Sequence, residues 1–238
     1  MNEASPARRV AFFGGSFDPP HQGHLAVARA ARLALGLDAV LFAPVGAQPL
    51  KAAGAAASFE DRVAMTRLAL AGDAGLELSL ADAPKASGAP NYTLETLQTL
   101  RQELSPGSVL FCLLGADAFL GLKDWRGAAS IPFVAPLIVA SRPGQPLEDL
   151  KAALPKGLTL EPEASTESAS IAVELRSWSL RNPEGDTAPF YLLPGLDVDV
   201  SATGIRIQIH GNRGARAAGR DLLPSGVEEY IRAHGLYC

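Results

Sequence analysis

The chain has 238 residues, 47% of them hydrophobic and 19% charged, with a formal net charge of −4 and a pI of about 5.6, which is enough for one well-filled core. The acidic balance disfavours a nucleic-acid-binding module, because such proteins usually show a basic face. The most apolar later stretch, residues 131–140, is short and contains two prolines, so it cannot span a membrane, which takes roughly 20 apolar residues.

Apolar runs of strand length alternate with helix-period segments along most of the chain. Residues 9–13 are a predicted buried strand, followed by a glycine- and proline-rich turn at 14–20 and a helix over 24–35. A helix over 58–70 has a marked start, with Ser58 as the N-cap and Asp61 three residues later. Further strands are predicted at 39–44, 76–80, 108–114, 137–141 and 196–200, and further helices at 91–104, 203–209 and 225–233.

Strand–helix alternation predicts an α/β fold, a Rossmann-like doubly wound parallel sheet with helices on both faces and a small C-terminal helical part. We expect a single domain over residues 1–238, because no linker or internal repeat divides the chain. Residues 157–193 are rich in Ser, Glu, Thr and turn residues, and they are expected to form an irregular excursion. Ligands in such sheets bind at the carboxyl ends of the strands, here the loops after Phe13, Pro44, Leu80 and Leu114.

Cysteine usage points to a reducing compartment. The two cysteines are Cys112, in an apolar run, and Cys238, the last residue, so neither a disulfide framework nor a cysteine zinc site is expected. Residues 1–9 contain no long apolar stretch of the kind found in signal peptides. We therefore expect a cytoplasmic protein without a membrane partner.

The most informative segment is residues 14–24, with the sequence GGSFDPPHQGH, between the first strand and the first helix. Paired glycines allow the main chain to approach a bulky ligand closely. His21 and His24 lie at the helix start, where free N–H groups and the helix dipole already favour an anion. Two imidazole donors at such a terminus would suit a polyphosphate.

Several other interpretations of this segment are weaker. Glycine and proline pairs often mark an ordinary tight turn. A zinc site takes three or four ligands, and the remaining histidines, His210 and His234, are distant in sequence, so no protein-bound metal is expected. Neither the G-x-G-x-x-G loop of dehydrogenases nor the G-x-x-x-x-G-K-[ST] phosphate loop is present.

The segment resembles the G-G-[ST]-F-D-P-x-H-x-G-H signature of the nucleotidylyltransferase superfamily, and its longer form resembles bacterial nicotinate-nucleotide adenylyltransferases in particular. Other stretches match that family in the same order. They are residues 58–65, N-Y-T-L-E-T-L at 91–97, L-G-A-D at 114–117 followed by Trp125, V-S-A-T-G-I-R at 200–206, and the closing residues 223–237. The resemblance covers nearly the whole chain except residues 157–193.

The resemblance implies adenylyl transfer from ATP to nicotinate mononucleotide, a step of NAD biosynthesis. It implies ATP-binding roles for Gly14, Gly15, Ser16, His21, His24, Lys51, Gly115, Asp117, Ser201, Thr203 and Arg206, with His21, His24 and Arg206 as the catalytic group. Fixed cationic donors would stabilise the charge that builds on the bridging oxygen as pyrophosphate leaves. The attacking phosphate oxygen is already anionic, so no general base is needed. Mg²⁺ is expected to be held mainly by the ATP phosphates.

For the second substrate, the resemblance implies Thr93, Trp125 and Arg126 as the nicotinate mononucleotide-binding residues. Trp125 could stack on the pyridine ring or act as a core anchor. Asp117 could bind a ribose or cap the following helix, and Asp18 is expected to be structural first. Leu50 stands before Lys51 where the family often has histidine.

Two alternatives remain open at this stage. The acceptor could be nicotinamide mononucleotide, phosphopantetheine or another phosphate, or the donor CTP. A nucleotide-binding sensor on the same fold that has lost catalysis is the second alternative, since fold alone does not fix function. A homo-oligomer is compatible with the sequence.

Overall fold

The protein was examined as a computed structural model, which describes residues 6–49, 54–141, 147–162, 173–196, 200–211 and 222–238. Within these ranges the strands are β1 (Arg9–Gly15), β2 (Ala39–Pro44), β3 (Leu76–Leu78), β4 (Val109–Gly115), β5 (Leu137–Ala140), β6 (Thr159–Pro162), β7 (Arg176–Arg181) and β8 (Thr187–Leu193). The helices are α1 (Gln22–Leu35), α2 (Phe59–Ala69), α3 (Thr93–Glu103), α4 (Ala116–Leu120), α5 (Ile131–Val134), α6 (Leu147–Ala152), α7 (Ala202–Gly211) and α8 (Ser225–His234).

All of these strands form one sheet in the order β3-β2-β1-β4-β5-β8-β7-β6. The first six strands of this order, β3-β2-β1-β4-β5-β8, pair in parallel, which confirms the predicted α/β class. The strand order reverses between β1 and β4, because β2 and β3 lie on one side of β1 and the later strands on the other. Such a switch point opens a crevice at the carboxyl ends of the strands, where ligands bind.

Helices cover both faces of the sheet, as predicted. Successive strand residues point to opposite faces, so Phe12 packs into one apolar cluster and Phe13 into the other. The Phe12 cluster includes residues of α3, α4 and α5, whereas the Phe13 cluster includes residues of α1. A third cluster joins α2, α7 and α8 through residues such as Met65, Ile205 and Val227, and it forms the predicted C-terminal helical part.

Local sequence signals explain where the helices begin and end. The main-chain N–H of Asp61 donates to Ser58 Oγ at 3.0 Å, which confirms the predicted N-cap of α2. Helix α1 ends at Gly36, whose φ of +57° is a left-handed conformation that suits glycine. None of the described helices is long and apolar enough to cross a membrane.

The prediction of an irregular excursion at residues 157–193 is wrong where the structure describes it. β6 and β7 pair antiparallel with their neighbours, so the sheet is mixed, and β8 lies directly beside β5. The polar residues of β7 and Pro189 in β8 interrupt the apolar pattern from which strands are predicted. Proline lacks an N–H, and Pro189 immediately precedes the residues that pair with β5, which begin at Phe190. The predicted strand at 196–200 lies largely outside the described residues and stays a prediction.

Candidate active site

A pocket of about 1040 Å³ opens at the carboxyl ends of the parallel strands, on the switch point between β1 and β4. Every predicted site residue that the structure describes contributes to its lining: Gly14, Gly15, Ser16, His21, His24, Thr93, Gly115, Asp117, Trp125, Arg126, Ser201, Thr203 and Arg206. Lys51 and Leu50 lie outside the described residues, so their predicted roles are not addressed. The volume is at the upper end of roughly 300–1,000 Å³ for small-molecule sites.

Glycines shape the floor of the pocket. A Cβ at Gly14 would lie 2.7 Å from the Phe12 ring, and one at Gly15 would lie 3.2 Å from the Phe17 ring. The ordinary packing of these rings therefore requires glycine or a displaced ring. At Gly115 an added Cβ would meet no atom of the described residues within 4 Å. This position thus leaves the main chain at the end of β4 open to close approach by a ligand.

The histidine pair lies at the start of α1, where His21 is the N-cap residue and His24 lies in the first turn. Their rings stack at a centroid distance of 3.7 Å, with 26° between the ring planes. The main-chain N–H of His21 donates to Nδ1 of His24 at 3.2 Å. Because Nδ1 of His24 accepts this bond, the proton of the neutral ring lies on Nε2.

The expectation that these histidines are cationic requires correction. His21 is only 6% exposed, and this burial lowers the pKa of its ring to about 4. Burial, followed by repulsion from His21, lowers the pKa of His24 well below its ordinary value. At neutral pH both rings are therefore uncharged, and each offers one N–H as a neutral donor.

Among the described residues, Arg206 is the cation that lines this end of the pocket. Ser201 caps α7, since the N–H of Gly204 donates to Ser201 Oγ at 3.1 Å. One turn later, Arg206 Nη2 donates to Thr203 Oγ1 at 3.2 Å, and Nη1 donates to the main-chain oxygen of Asp18 at 2.7 Å. The start of α7 thus presents a guanidinium and the N–H groups of a helix terminus to the pocket.

Asp18 connects several segments around the signature turn. Its Oδ2 accepts the N–H of Ala56 at 2.7 Å, and its Oδ1 accepts the N–H of Ala57 at 3.1 Å. The hydroxyl of Tyr237 also donates to Oδ1 at 2.7 Å. The carboxylate is buried and accepts these three hydrogen bonds, which fits the structural role expected for Asp18.

Arg62 was missed by the sequence analysis. Its buried guanidinium donates from Nη1 to the Ser16 oxygen and from Nη2 to the Val45 oxygen, both at 2.8 Å. One side chain of α2 therefore fixes the turns after β1 and β2. A signal was present, because the buried face of α2 repeats as Arg62, Met65, Thr66 and Ala69, and a charge on such a face indicates a specific partner.

The other end of the pocket lies at the start of α3 and around Trp125. Thr93 is the first residue of α3, and Trp125 both lines the pocket and packs against the Phe12 cluster. Both sequence interpretations of Trp125, ring stacking and core anchor, are thus compatible with its position. The Arg126 guanidinium lies 4.6 Å from the centre of the Tyr92 ring and 3.4 Å from Glu95 Oε1.

Asp82 and Asn91 support this end and were also missed. The Thr96 hydroxyl donates to Asp82 Oδ1 at 2.6 Å, and burial raises the pKa of Asp82, an effect that the Thr96 bond opposes. Asn91 accepts the N–H of Ala47 through Oδ1 at 3.1 Å. Little in the sequence marks Asp82, since it stands in a loop of small residues, whereas Asn91 belongs to the N-Y-T-L-E-T-L segment.

Asp117 is an exposed residue in the first turn of α4. The N-cap position of that helix belongs to Gly115, so the capping alternative considered for Asp117 is wrong. Asp117 nevertheless lines the pocket. Its position is compatible with the predicted contact to a ribose hydroxyl.

Comparison with known proteins agrees with this geometry. Residues 12–206 match the model of the family described as cytidylyltransferase-like. A protein of Gloeobacter violaceus named "Probable nicotinate-nucleotide adenylyltransferase" is 36% identical over 229 residues, which cover 96% of each chain. A protein of Laribacter hongkongensis with the same name is 37% identical over 235 residues, covering 98% of this chain and 96% of the relative.

Among solved structures, Plasmodium falciparum nicotinic acid mononucleotide adenylyltransferase complexed with NaAD superposes with a TM-score of 0.67. It shares 14% identity and covers 97% of both chains. The same enzyme complexed with APC gives a TM-score of 0.65 at 14% identity, again over 97% of both chains. These likenesses confirm the fold, and the sequence matches show that the chain belongs to the cytidylyltransferase-like family and, within it, to the nicotinate-nucleotide adenylyltransferases.

Proposed function

We propose that this protein transfers the adenylyl group of ATP to the phosphate of nicotinate mononucleotide, giving nicotinate adenine dinucleotide and pyrophosphate. The observation that carries the proposal is one pocket with two ends. The paired histidines and Arg206 stand at one end, and Thr93 with Trp125 at the other. Full-length relatives with this activity in their names support the same reaction.

The reaction joins a phosphate oxygen of the acceptor to the α-phosphorus of ATP and breaks the bond from that phosphorus to the bridging oxygen. Pyrophosphate leaves with the electron pair. The acceptor oxygen is already anionic, so catalysis consists of alignment and of stabilising charge on the bridging oxygen. In this proposal His21 and His24 supply neutral N–H donors, and Arg206 supplies the positive charge.

At the ATP end, the proposed contacts run along the phosphates and then the ribose. The turn of Gly14, Gly15 and Ser16 holds phosphate oxygens together with the start of α7 at Ser201 and Thr203. Lys51 is proposed to reach the same phosphates. Gly115 leaves the space into which the nucleoside enters, and Asp117 accepts hydrogen bonds from ribose hydroxyls. Support for these roles comes from their common lining of one pocket.

At the acceptor end, Trp125 is proposed to stack on the pyridine ring. Thr93 and the main chain at Trp125 and Arg126 would bind the nicotinate carboxylate, because a carboxylate needs N–H or cationic donors. Arg126 is already oriented by Tyr92 and Glu95, and its side chain is 67% exposed. A cation at this position favours the carboxylate of nicotinate over the amide of nicotinamide.

Mg²⁺ is proposed to enter with ATP. The described residues contain no cluster of three or more His, Cys, Asp or Glu side chains that could hold a metal ion. The described lining carries the carboxylates of Asp18, Asp82, Asp117 and Asp124 against the guanidiniums of Arg126 and Arg206. A polyphosphate therefore needs an accompanying cation to enter, and Mg²⁺ held by phosphate oxygens and water would neutralise part of its charge.

A cytoplasmic location is proposed as well. Both cysteines are free, with Cys112 buried and Cys238 exposed. An unpaired set of this kind is typical of a reducing compartment.

The test is pyrophosphate release from Mg–ATP, with nicotinate mononucleotide, nicotinamide mononucleotide and phosphopantetheine as parallel acceptors. We expect fast release with the nicotinate compound and much slower release with the other two. Release with another acceptor alone would replace the acceptor in the proposal. Release with none, together with intact ATP binding, would favour the nucleotide sensor.

Histidine variants give the matched control. His24→Asn removes a pocket donor, whereas His210→Asn changes an exposed histidine on α7. We expect turnover to fall about 100-fold or more in the first variant, as for loss of an oriented transition-state donor, and to stay near wild type in the second. Equal rates in the two variants would contradict the role given to the pair.

A further inference from the structure

The penultimate residue of the chain reaches back to the signature turn at residues 14–24. The Tyr237 hydroxyl donates to Asp18 Oδ1 at 2.7 Å, across 219 positions of sequence. Helix α8 ends at Gly235, and the N–H of Leu236 returns to the Ile231 oxygen at 3.0 Å. Tyr237 itself has a φ of +64°. This left-handed conformation is unfavourable for a non-glycine residue, so the surrounding contacts must hold it.

The Asp18 carboxylate lies close to Arg206 without forming a short ion pair. Arg206 Nη1 is 3.9 Å from Asp18 Oδ2 but only 2.7 Å from the main-chain oxygen of Asp18. The carboxylate oxygens are instead occupied by the N–H groups of Ala56 and Ala57 and by the Tyr237 hydroxyl. A guanidinium and a carboxylate otherwise favour a bidentate pair with two parallel hydrogen bonds.

We propose that Tyr237 is a positioning residue for Arg206: by satisfying Asp18 Oδ1, it keeps the carboxylate from capturing the guanidinium and leaves Arg206 available to the nucleotide phosphates. The inference rests on the proposed function for the identity of the phosphates, but not on the identity of the acceptor. Tyr237 acts through Asp18 and need not touch the substrate.

The chemistry of Tyr237 suits a permanent donor. Burial, followed by the hydrogen bond to Asp18, raises the pKa of the Tyr237 hydroxyl well above its ordinary value. The hydroxyl therefore keeps its proton throughout the working range of pH. The negative charge of Asp18 is held at the same time by two N–H groups that belong to the loop before α2.

A matched control lies on the helix that precedes Tyr237. The Tyr230 hydroxyl donates to Asp61 Oδ1 at 2.9 Å, which joins α8 to the start of α2. This contact has the same chemistry as the Tyr237–Asp18 bond. Neither Tyr230 nor Asp61 is among the described residues that line the pocket. Tyr230→Phe thus removes a tyrosine–aspartate bond without affecting the carboxylate that lies beside Arg206.

The experiment compares Tyr237→Phe with Tyr230→Phe, measuring Mg–ATP affinity by calorimetry without any acceptor. We expect Tyr237→Phe to weaken ATP binding about tenfold, the scale of one hydrogen bond to a charged group, and Tyr230→Phe to change it less than twofold. In turnover assays, the KM for ATP should rise while the KM for nicotinate mononucleotide stays within about twofold. Equal ATP affinities in the two variants would assign Tyr237 a structural role only.

A double variant tests the path through Arg206. In an Arg206→Gln background the guanidinium of residue 206 is gone, and Arg62 stays bonded to the main-chain oxygens of Ser16 and Val45, so adding Tyr237→Phe should cost ATP affinity less than about twofold. The same tenfold loss in that background would overturn the proposal. If wild type binds ATP but does not react with nicotinate mononucleotide, the proposed function fails while this comparison remains valid.

A second measurement applies even if Tyr237→Phe does not fold. In a crystal structure of the wild-type protein with ATP, we expect Arg206 on a phosphate oxygen while Tyr237 stays bonded to Asp18. A bidentate Arg206–Asp18 pair in that complex would contradict the positioning role.

Discussion

The low pKa of His21 predicts that this histidine makes the protein sensitive to mild acid. His21 is buried at the start of α1, and burial lowers its pKa from 6.5 to about 4. In the unfolded chain the same ring has its ordinary pKa and takes up a proton near pH 6.5. Replacing His21 by Gln removes this difference, so we expect His21→Gln to lose less stability than wild type between pH 7 and pH 5.

The sign follows from proton linkage. Between pH 6.5 and pH 4 the unfolded state binds a proton at His21 that the folded state does not, so the free energy of unfolding falls as the pH falls through this window. At pH 5 the unfolded ring is almost fully protonated, while the folded ring stays mostly neutral. The difference between pH 7 and pH 5 is about 2 kcal/mol for this single group.

Urea unfolding of wild type, His21→Gln and His210→Gln at pH 7 and pH 5 measures the effect. His210 is an exposed histidine on α7 and serves as the control. We expect the change in unfolding free energy between the two pH values to be about 2 kcal/mol smaller in His21→Gln than in wild type and His210→Gln. Comparing variants cancels the contribution of titrating groups that do not interact with His21; His24 is the exception, because repulsion from His21 contributes to its low pKa.

Identical pH dependence in all three proteins would refute the reasoning. It would mean that His21 titrates near its ordinary pKa in the folded protein, so the pair would carry charge in mild acid. Observation of the His21 ring protons by NMR over the same range of pH would then locate its pKa directly. The neutral-donor role proposed for the pair depends on this outcome.

Three further changes test the supports of the pocket. Arg62→Lys should lower the unfolding free energy by about 2 kcal/mol, because one ammonium cannot reach both main-chain oxygens. Scanning calorimetry should show a melting temperature about 4–8 °C lower, with Arg67→Lys on the exposed side of α2 as the control. Trp125→Ala should raise the KM for nicotinate mononucleotide about tenfold more than that for ATP in steady-state assays, and the reverse order would remove the stacking role. Thr96→Val removes the donor to buried Asp82, so chemical unfolding should show an unfolding free energy about 1–3 kcal/mol lower than in wild type. This loss should be larger at pH 7 than at pH 5, because a raised pKa of Asp82 destabilises the folded state as the pH rises. Equal losses at both pH values would contradict the buried-carboxylate interpretation.

The main features of the fold could be predicted because they depend on local pattern. Apolar runs predicted β1, β2, β4 and β5 to within two residues at either end, and Ser58 marked the start of α2. The turn at 14–24 could be located for the same reason, since its glycines and histidines are neighbours in sequence. β7 and β8 were not predicted, because β7 is stabilised by pairing with β8, and β8 by pairing with β7 and β5. A polar, proline-containing sequence does not reveal such pairing.

The parts of the site that sequence did not reveal depend on distant contacts. Arg62 reaches Ser16 across 46 positions, and Tyr237 reaches Asp18 across 219. The predicted positive charge of the histidines was also wrong, because the sequence does not show that the two rings are buried, and burial lowers their pKa. The sequence therefore predicted which groups meet in the pocket, while their supports and protonation required the three-dimensional structure.

Burial restricts the charge of several groups around this pocket. A buried group either stays neutral or has its charge stabilised by hydrogen-bond donors. His21 and His24 lose their positive charge, Tyr237 keeps its proton, and the charge of Asp18 is held by surrounding donors. Arg206, whose side chain is 29% exposed, is then the described cation best able to move toward a phosphate at this end. In the proposed reaction, oriented neutral donors and one guanidinium need no reorganisation when charge develops on the bridging oxygen.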